Sequence, residues 1–596
     1  MNRTYKVIWS KARRCYVVVS ELAKSQHKSS SKSEHISSNV HRGYLGKAAA
    51  AAVVASLLTF GNLAYSPVMA ATAENKAGTG AGVAIGESSK TDDFAKNQIA
   101  IGVGAKDVSD GSAPNDAAIA IGAGAHTYNE LGRRVAAVSF GKNQKDYTGG
   151  IAIGKDTYAI TTGTSIGQRD YNGIMGDITI SDSNRDVIQY APGATSLGSN
   201  AYAGGTLATV IGAYNISTSG YNGKGDFNTY QYAVQNFGST ILGTLNTNES
   251  ATAPTGFLPS YSGIANSLVG VANRTYNTNG AIIMGAGNEI TNSVTSISGV
   301  SATTNASSVN ELADTLRNAV GKSDSGGATL VIGGGNKANY TQKTQILGVN
   351  NTVNGAEDNI SDYNMIDGFN NTITGASHLY TIGDNDHITN TTKTIVFGDD
   401  RYVSNTNDSI IIGSSDKSDK PQYTTATDAT IIGHNANAWG NRSMALGKDV
   451  YTTGDDSVAI GSGVAAYSKN SIAIGSSDGF YKTAVTDYSK DKPTEGGIAI
   501  GMGTLTNASH GTAIGYHAMV TNVDGYALGS QASVSTDKGV AIGYKATATV
   551  GDNALALGTS ATSSGRDNIA IGTQAQATSS GASEEGTGQR MALGAY

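Results

Sequence analysis

Two seven-residue phrases, Asp456-Ser457-Val458-Ala459-Ile460-Gly461-Ser462 and Asn470-Ser471-Ile472-Ala473-Ile474-Gly475-Ser476, decide the fold of this chain. They begin fourteen residues apart, and their apolar–small–apolar–Gly core recurs along a chain of 596 residues. Close copies lie at 83–86, 99–102, 119–122, 151–154, 498–501, 540–543 and 569–572, and variants at 138–141, 209–212, 345–348, 395–398 and 591–594. A fixed short period is the signature of a solenoid, in which each repeat packs mainly on its neighbours.

The spacing of the glycines gives the length of one coil. The spacing is fourteen residues at Gly433, Gly447, Gly461 and Gly475 and again at Gly501, Gly515, Gly529 and Gly543, and fifteen at Gly368, Gly383, Gly398 and Gly413. A second pattern follows each Gly: Gly-x-x-Ala-x-Ala/Val/Ser in the C-terminal third and Gly-x-x-Asn-x-Ile/Val in the middle. Residues two apart share one face of a strand, so one coil holds two short strands and two turns.

The residue types indicate how each strand is used. Ile and Val two apart suit a half-buried pleated face, so we expect them to form it. We expect the Ala between them to point away, where a small side chain lets a neighbour approach closely. The segment 308–320 (SVNELADTLRNAV) has apolar residues at helical spacing and predicts a short helix inserted between coils.

The first 72 residues predict an export signal. Residues 1–47 carry ten Lys/Arg and two Glu, and the uncharged run AAAAAVVASLLTF follows at 48–60. Small residues come next, which predicts cleavage after Ala70, with Ala73 as the alternative. Cleavage removes Cys15, the only Cys, and leaves 31 of 41 basic and 45 of 47 acidic residues, a net charge of −14. That charge disfavours nucleic acid and anionic membranes as partners.

The predicted mature chain offers no recognised catalytic or metal-binding constellation, so we expect no enzymatic activity, cofactor or metal. Its six His residues lack metal-ligand spacing, and the Gly-rich run 78–82 lacks the Lys of a phosphate loop. Solvated turn carboxylates are the simplest interpretation of Asp399 and Asp400, with an ion site in the turns as the alternative. A β-helix polysaccharide lyase or a trimeric acyltransferase remains an enzymatic alternative. The fourteen-residue period disfavours both.

Two parts of the chain resemble YadA-like trimeric autotransporter adhesins. The opening MNRTYKVIWSKARRC resembles the extended signal peptide of type V autotransporters, and the phrases at 456–462 and 470–476 resemble the head repeat. The resemblance implies a left-handed parallel β-roll in each chain, a homotrimer, and a destination at the cell surface or outer membrane of a Gram-negative-type bacterium. It also implies binding to matrix proteins of the collagen, fibronectin and laminin class, or to partner cells.

The family carries a stalk and a membrane anchor, whereas this sequence stops at Gly594-Ala595-Tyr596 inside a repeat. We therefore expect the head portion of a longer or truncated product, which would be secreted if it truly lacked the anchor. An inert spacer that holds another tip domain outward is the alternative to adhesion.

The predicted fold class is all-β: a parallel β-roll of 14–15-residue coils with irregular insertions, one short helix and an N-terminal signal helix. We expect an extended signal peptide at 1–72, head repeats at 73–170, irregular Asn/Thr-rich coils at 171–430 and regular head repeats at 431–596. Many weak contacts along a rod would supply affinity. The candidate binding residues are Asp456, Ser457, Val458, Ala459, Ile460, Gly461, Asn470, Ser471, Ile472, Ala473, Ile474 and Gly475.

Overall fold

The structure is a computed structural model with two units, 1–72 and 73–596. It describes residues 5–10, 15–20, 78–91, 93, 98–109, 118–129, 138–140, 151–160, 164–168, 194–205, 207–219, 236–250, 262–294, 304–306, 313–314, 317–318, 329–417, 422–477, 484–485, 495–579 and 589–594. In the first unit, Tyr5–Ser10 pairs antiparallel with Cys15–Ser20. The apolar run 48–60, Ala70 and Ala73 lie outside the described residues, so the signal helix and the cleavage site remain predictions.

One long parallel sheet, here called the first ladder, contains a strand from every phrase-bearing coil but one. Its 27 strands pair in chain order and hold the glycines of successive coils level with one another. They are Val83–Ile85, Ile99–Ile101, Ile119–Ile121, Ile151–Lys155, Thr164–Gln168, Thr195–Ser199, Thr209–Ala213, Thr240–Thr244, Ser267–Val271, Ile282–Ala286, Leu330–Gly334, Gln345–Val349, Met365–Phe369, Tyr380–Ile382, Ile395–Phe397, Ile410–Ile412, Thr430–Ile432, Met444–Lys448, Val458–Ser462, Ile472–Ser476, Ile498–Met502, Thr512–Ile514, Tyr526–Leu528, Val540–Ile542, Leu555–Leu557, Ile569–Ile571 and Met591–Leu593.

The second half of each coil builds the opposite wall, the second ladder, in three parallel segments. The first contains Lys106–Ser109, His126–Asn129 and Tyr158–Ile160. The next contains Tyr202–Ala203, Ile216–Ser219, Thr247–Ser250, Arg274–Tyr276, Glu289–Thr291, Lys337–Asn339, Thr352–Asn354, Thr372–Thr374, His387–Thr389 and Tyr402–Ser404. The last contains Asn437–Ala438, Tyr451–Thr452, Ala465–Ala466, Ala484–Val485, Leu505–Thr506, Met519–Val520, Ser533–Ser535, Thr547–Thr549, Thr562–Ser564 and Gln576–Thr578. The parallel β-roll predicted from the glycine spacing is thereby confirmed.

Two smaller pairings lie outside these walls. Thr341–Gln342 pairs in parallel with Ser361–Asp362 at a turn. Val138–Phe140 pairs with Thr304–Ala306, so the prediction that 138–141 is one more repeat of the first ladder is wrong. The reason is that Ile119–Ile121 pairs directly with Ile151–Lys155, which leaves no position between them.

As expected, the Ile and Val of the repeat strand are half-buried and the Ala between them points the other way, and it is this Ala side that faces the core. From Ile99–Ile101 to Ile569–Ile571 the second residue of every first-ladder strand is buried, including Ala459 and Ala473 at 0 % exposure. The flanking Ile and Val point outward. In the coils whose second strand residue is Ala, this small side chain is inside because the two walls of the roll lie close together, and the flanking β-branched residues face away from the chain's own core.

The interior changes along the roll. In the C-terminal third it is filled by small side chains, among them Ala541, Ala546 and Ala548. In the middle the equivalent positions hold mainly Ile, Leu or Val on the first ladder and, in most coils, Asn three residues after the glycine. Both members of the predicted pairs point inward in the two regions, as for Asn371 with Ile373 and Ala546 with Ala548.

The predicted helix at 308–320 lies largely outside the described residues, and four residues within it, Ala313, Asp314, Arg317 and Asn318, have helical backbone. Within the described ranges, the chain has no helix that is long and apolar enough to span a membrane.

Candidate functional site: the outward stripe and the turns

The outward side of the first ladder carries a continuous apolar column. We call it the outward stripe and define it as the third residue of each of the 27 first-ladder strands, immediately before the glycine. Register places these residues level in successive strands, as with Ile460 and Ile474. Its members are Ile85, Ile101, Ile121, Ile153, Ile166, Leu197, Ile211, Leu242, Val269, Met284, Ile332, Leu347, Asp367, Ile382, Phe397, Ile412, Ile432, Leu446, Ile460, Ile474, Ile500, Ile514, Leu528, Ile542, Leu557, Ile571 and Leu593.

In a single copy much of this stripe is open to water. Leu242 is 47 % exposed, Met284 48 % and Ile382 45 %. Phe369, which flanks the stripe, is 54 % exposed. Contiguous apolar surface of this extent marks a contact with another molecule. The Ile and Val residues that recur in the repeat phrases line this outward surface.

The candidate binding residues divide into buried and outward-facing groups. Ala459 and Ala473 lie in the core, and Ser457 and Ser471 are buried at the turn that precedes each strand. Ser457 Oγ donates to the carbonyl of Gly454 at 2.6 Å, and Ser471 Oγ donates to that of Ser468 at 2.5 Å. These buried residues hold the coil together.

The outward-facing candidates belong to two places. Val458 pairs with Ile472, and Ile460 with Ile474, in adjacent parallel strands, so all four lie on the outward side of the first ladder. Gly461 and Gly475 follow them at positive φ. A Cβ on Gly461 would overlap the carbonyl oxygen of Gly475 in the next coil. Glycine is needed here because the coils approach each other through this backbone.

Asp456 and Asn470 occupy an exposed turn with left-handed backbone, at φ 57° and 55°. Asp456 accepts from Arg442 Nε at 2.6 Å and from Arg442 Nη2 at 2.8 Å, and these hydrogen bonds lower the pKa of Asp456. Asn470 Nδ2 donates to Glu495 Oε1 at 2.6 Å. The structure therefore brings polar side chains of successive coils together along this edge.

The repeat period in the sequence does not by itself reveal this edge as a unit. The residue two positions before the strand has positive φ in coil after coil, and its side chain contacts the equivalent residue of the next coil. Besides Arg442 with Asp456, the pairs include Lys393 with Asp408 at 3.7 Å, His510 with Asp524 at 3.2 Å and Asn553 with Asp567 at 2.9 Å. The available signal was the Asp and Asn before Ser, because these residues tolerate left-handed turns.

In the middle region the buried Asn residues form a hydrogen-bonded ladder, here called the Asn ladder. Each amide donates to the carbonyl of the glycine one coil on, at 2.7–2.9 Å, and each amide oxygen accepts from the next backbone N–H, at 2.8–3.2 Å. Its members are Asn215, Asn246, Asn273, Asn288, Asn336, Asn351 and Asn371. The ladder satisfies polar groups that would otherwise be buried without partners.

The Asn ladder ends on two buried charged residues, which sequence periodicity alone did not indicate. Asp386 occupies the next Asn position and accepts from Arg401 N at 3.0 Å and from Thr381 Oγ1 at 2.9 Å. Burial raises the pKa of Asp386 to about 7 and lowers the pKa of Arg401 to about 10. The Arg401 guanidinium reaches onward, donating to Ser415 Oγ at 2.9 Å and to the carbonyl of Ala436 at 3.1 Å. The pair thereby joins the polar interior to the small-residue interior.

The described residues contain no group of three or more His, Cys, Asp or Glu arranged to hold a metal ion. Asp399 and Asp400 lie on turns, where Asp399 Oδ1 accepts from the backbone N–H of Asp384 at 3.0 Å. That carboxylate stabilises the turn of the preceding coil.

Comparison with known proteins identifies two modules in the chain. Residues 1–58 match the extended signal peptide of the type V secretion system. Residues 425–449, 453–477, 521–546 and 550–575 match the YadA head domain repeat, all within the region with small interior side chains and its border. A search of the curated proteins found no match.

Proposed function

We propose that this chain, which carries the extended signal peptide of the type V secretion system and YadA head domain repeats, forms the head of a homotrimer that binds host extracellular matrix or other cells. One observation carries the proposal. The outward stripe runs the length of the first ladder, is apolar at every strand except one, and is partly open to water in a single copy.

When three copies assemble around one axis, the outward stripe of each copy is covered in the same way by the neighbouring copies. A rod whose apolar column runs along its whole length must bury it against a surface of equal length, which another copy provides. A closed ring of identical chains achieves this without leaving an open end to grow from. Burial of apolar area then supplies stability that single coils lack.

Assembly in this way leaves the second ladder and the turns on the outside. In this arrangement Val458, Ile460, Ile472 and Ile474 face the other copies, and the turn residues Asp456 and Asn470 stay accessible to a ligand. Weak contacts that are present in all three copies and repeat along the rod raise the overall affinity by a factor of roughly 10²–10⁴ without any single strong site. The proposed partners are matrix proteins of the collagen, fibronectin and laminin class, or partner cells.

The extended signal peptide and the head repeats place this chain among proteins exported to the cell surface. We propose presentation at the outer membrane of a Gram-negative-type bacterium, with no enzymatic activity and no cofactor. We also propose functional divisions at 73–170, 171–430 and 431–596. The change of interior from Asn and Ile to Ala near Ile431 supports the last boundary.

The test compares the exported chain with its Ile474→Asp variant on immobilised collagen, fibronectin and laminin and on cultured cells. The variant places a carboxylate in the stripe, so we expect loss of the trimer, retention of β-structure by circular dichroism, and a fall in binding of at least tenfold. Thr453→Asp, at an exposed position directly after the second-ladder strand Tyr451–Thr452, is the matched control and should leave the trimer intact. A trimeric chain that binds none of these surfaces would contradict adhesion and favour a spacer.

A further inference from the structure

One member of the outward stripe is a carboxylate. Asp367 is the third residue of Met365–Phe369, whereas the other 26 stripe positions hold Ile, Leu, Val, Met or Phe. Its neighbours in the stripe are Leu347 on one side and Ile382 on the other. The preceding residue, Ile366, is fully buried, so the Asp367 side chain points to the outward side.

No partner within one copy explains this carboxylate. Among the described residues, the Asp367 side chain makes no hydrogen bond and no ion pair, and only its backbone carbonyl accepts, from Gly383 N at 3.0 Å. Apolar side chains surround it: Ile382 is 45 % exposed, and Tyr380 in the next strand is 51 % exposed. A lone charge in an apolar column weakens any interface that covers it.

We propose that Asp367 sets the register in which the three copies pair. This inference rests on the proposed trimer. Successive coils repeat about every 4.7 Å along the roll, and the stripe is apolar above and below Asp367. Sliding one copy by a single coil therefore exchanges one apolar contact for another, and the stripe alone distinguishes the two registers poorly.

Asp367 separates these registers energetically. In register, the three carboxylates lie at one level in one hydrated layer, where water screens their mutual repulsion, and they disturb a single rung. After a slip of one coil, each carboxylate faces Leu347 or Ile382 of another copy, and charges are desolvated at more than one level. A single polar residue in an apolar seam specifies the register of coiled coils in the same way, with some loss of stability.

Disulfide trapping measures the register between copies directly. In the exported chain, from which cleavage is predicted to remove Cys15, Ile382→Cys reports pairing at the same level. A mixture of Ile382→Cys and Phe397→Cys chains reports pairing displaced by one coil, because these strands are adjacent. A disulfide requires Cα atoms about 4.4–6.8 Å apart, so the two arrangements give different yields.

With Asp367 present, we expect same-level pairs to dominate. Asp367→Leu should increase the displaced 382–397 pairs severalfold and raise the temperature at which the trimer dissociates. Asp367→Asn should keep the wild-type ratio, because the polar layer remains. Asp400→Asn is the matched control: it removes one carboxylate at a turn with φ 57°, where the preceding coil has Asn385, and should change neither readout.

The outcomes separate the two proposals. A trimeric Asp367→Leu chain with an unchanged ratio of same-level to displaced pairs would overturn the register role and leave the trimer intact. A wild-type chain that sediments as a monomer would overturn the proposed trimer, and the register role with it.

Discussion

The coils between Asn215 and Asp386 and those between Ile431 and Ala577 share one backbone arrangement but fill it differently. Both stack the same first-ladder strand with a glycine after its outward residue. The earlier coils hold mainly Ile, Leu or Val against an Asn ladder, and most of the later ones hold Ala against Ala or Val. The earlier interior depends on directional hydrogen bonds and the later one on close fit. A parallel β-roll therefore specifies its path through glycine and turns, and accepts either interior.

Exchanging the residue types of the two regions at the position three residues after the glycine should lower the free energy of unfolding the most. Asn351 donates to the carbonyl of Gly368 at 2.8 Å and accepts from Asn371 N at 3.1 Å. Asn351→Val leaves both groups buried without partners, at about 1–3 kcal/mol each, so we expect a loss of about 4 kcal/mol in urea unfolding. Val464→Asn is the reciprocal change, and it buries an amide among Ala and Val. If both variants lost less than about 1 kcal/mol, the two interiors would be interchangeable and the comparison would fail.

The end of the Asn ladder should make stability depend on pH. The folded chain raises the pKa of Asp386 to about 7, so its contribution is fully present below about pH 4 and is lost as pH rises through 7. Asp386→Asn continues the ladder and can donate to the carbonyl of Gly398. We expect it to stabilise the chain by about 3–4 kcal/mol at pH 8 relative to its effect at pH 4, measured by urea unfolding. An Asp386→Asn chain with the wild-type pH profile would show that another group carries the dependence.

Exchanging the residue types of the two regions at the second residue of the first-ladder strand tests how closely the side chains fill each interior. Ile366→Ala should open a cavity and cost about 3 kcal/mol, whereas Ala541→Ile should overpack the narrower interior and cost about 2 kcal/mol. Thermal unfolding of both variants measures the difference. Tolerance of Ile at position 541 would mean that the two interiors have the same width, against the burial pattern.

The exposed turn edge should matter least for stability. Arg442→Ala removes both hydrogen bonds to Asp456, but the pair is exposed and screened, so we expect no measurable change in the unfolding midpoint. A clear drop in the midpoint would mean that the edge contributes to the core's stability. Binding to matrix proteins is the second readout, because Asp456 is a proposed contact.

The sequence predicts the coil and its strands, but it does not indicate which side of the first-ladder strand faces the core. The glycine period and the pairs Asn371 with Ile373 and Ala546 with Ala548 predicted the strands and their shared inner side. The sequence did not indicate which side of the repeat strand faces the core, because both of its sides are apolar and alternation carries no polar signal. The turn edge and the Asp386–Arg401 pair depend on which coils become neighbours across insertions. One example is the contact of Arg401 with the carbonyl of Ala436, and the repeat period alone does not reveal such neighbours.

Sedimentation equilibrium of the exported chain tests the central claim most directly, because the proposed trimer covers the outward stripe with other copies of the chain. The account predicts one species with three times the mass of a single chain, reduced to one chain by Ile474→Asp. A wild-type chain that stays at the mass of one chain while retaining its β-structure would contradict it.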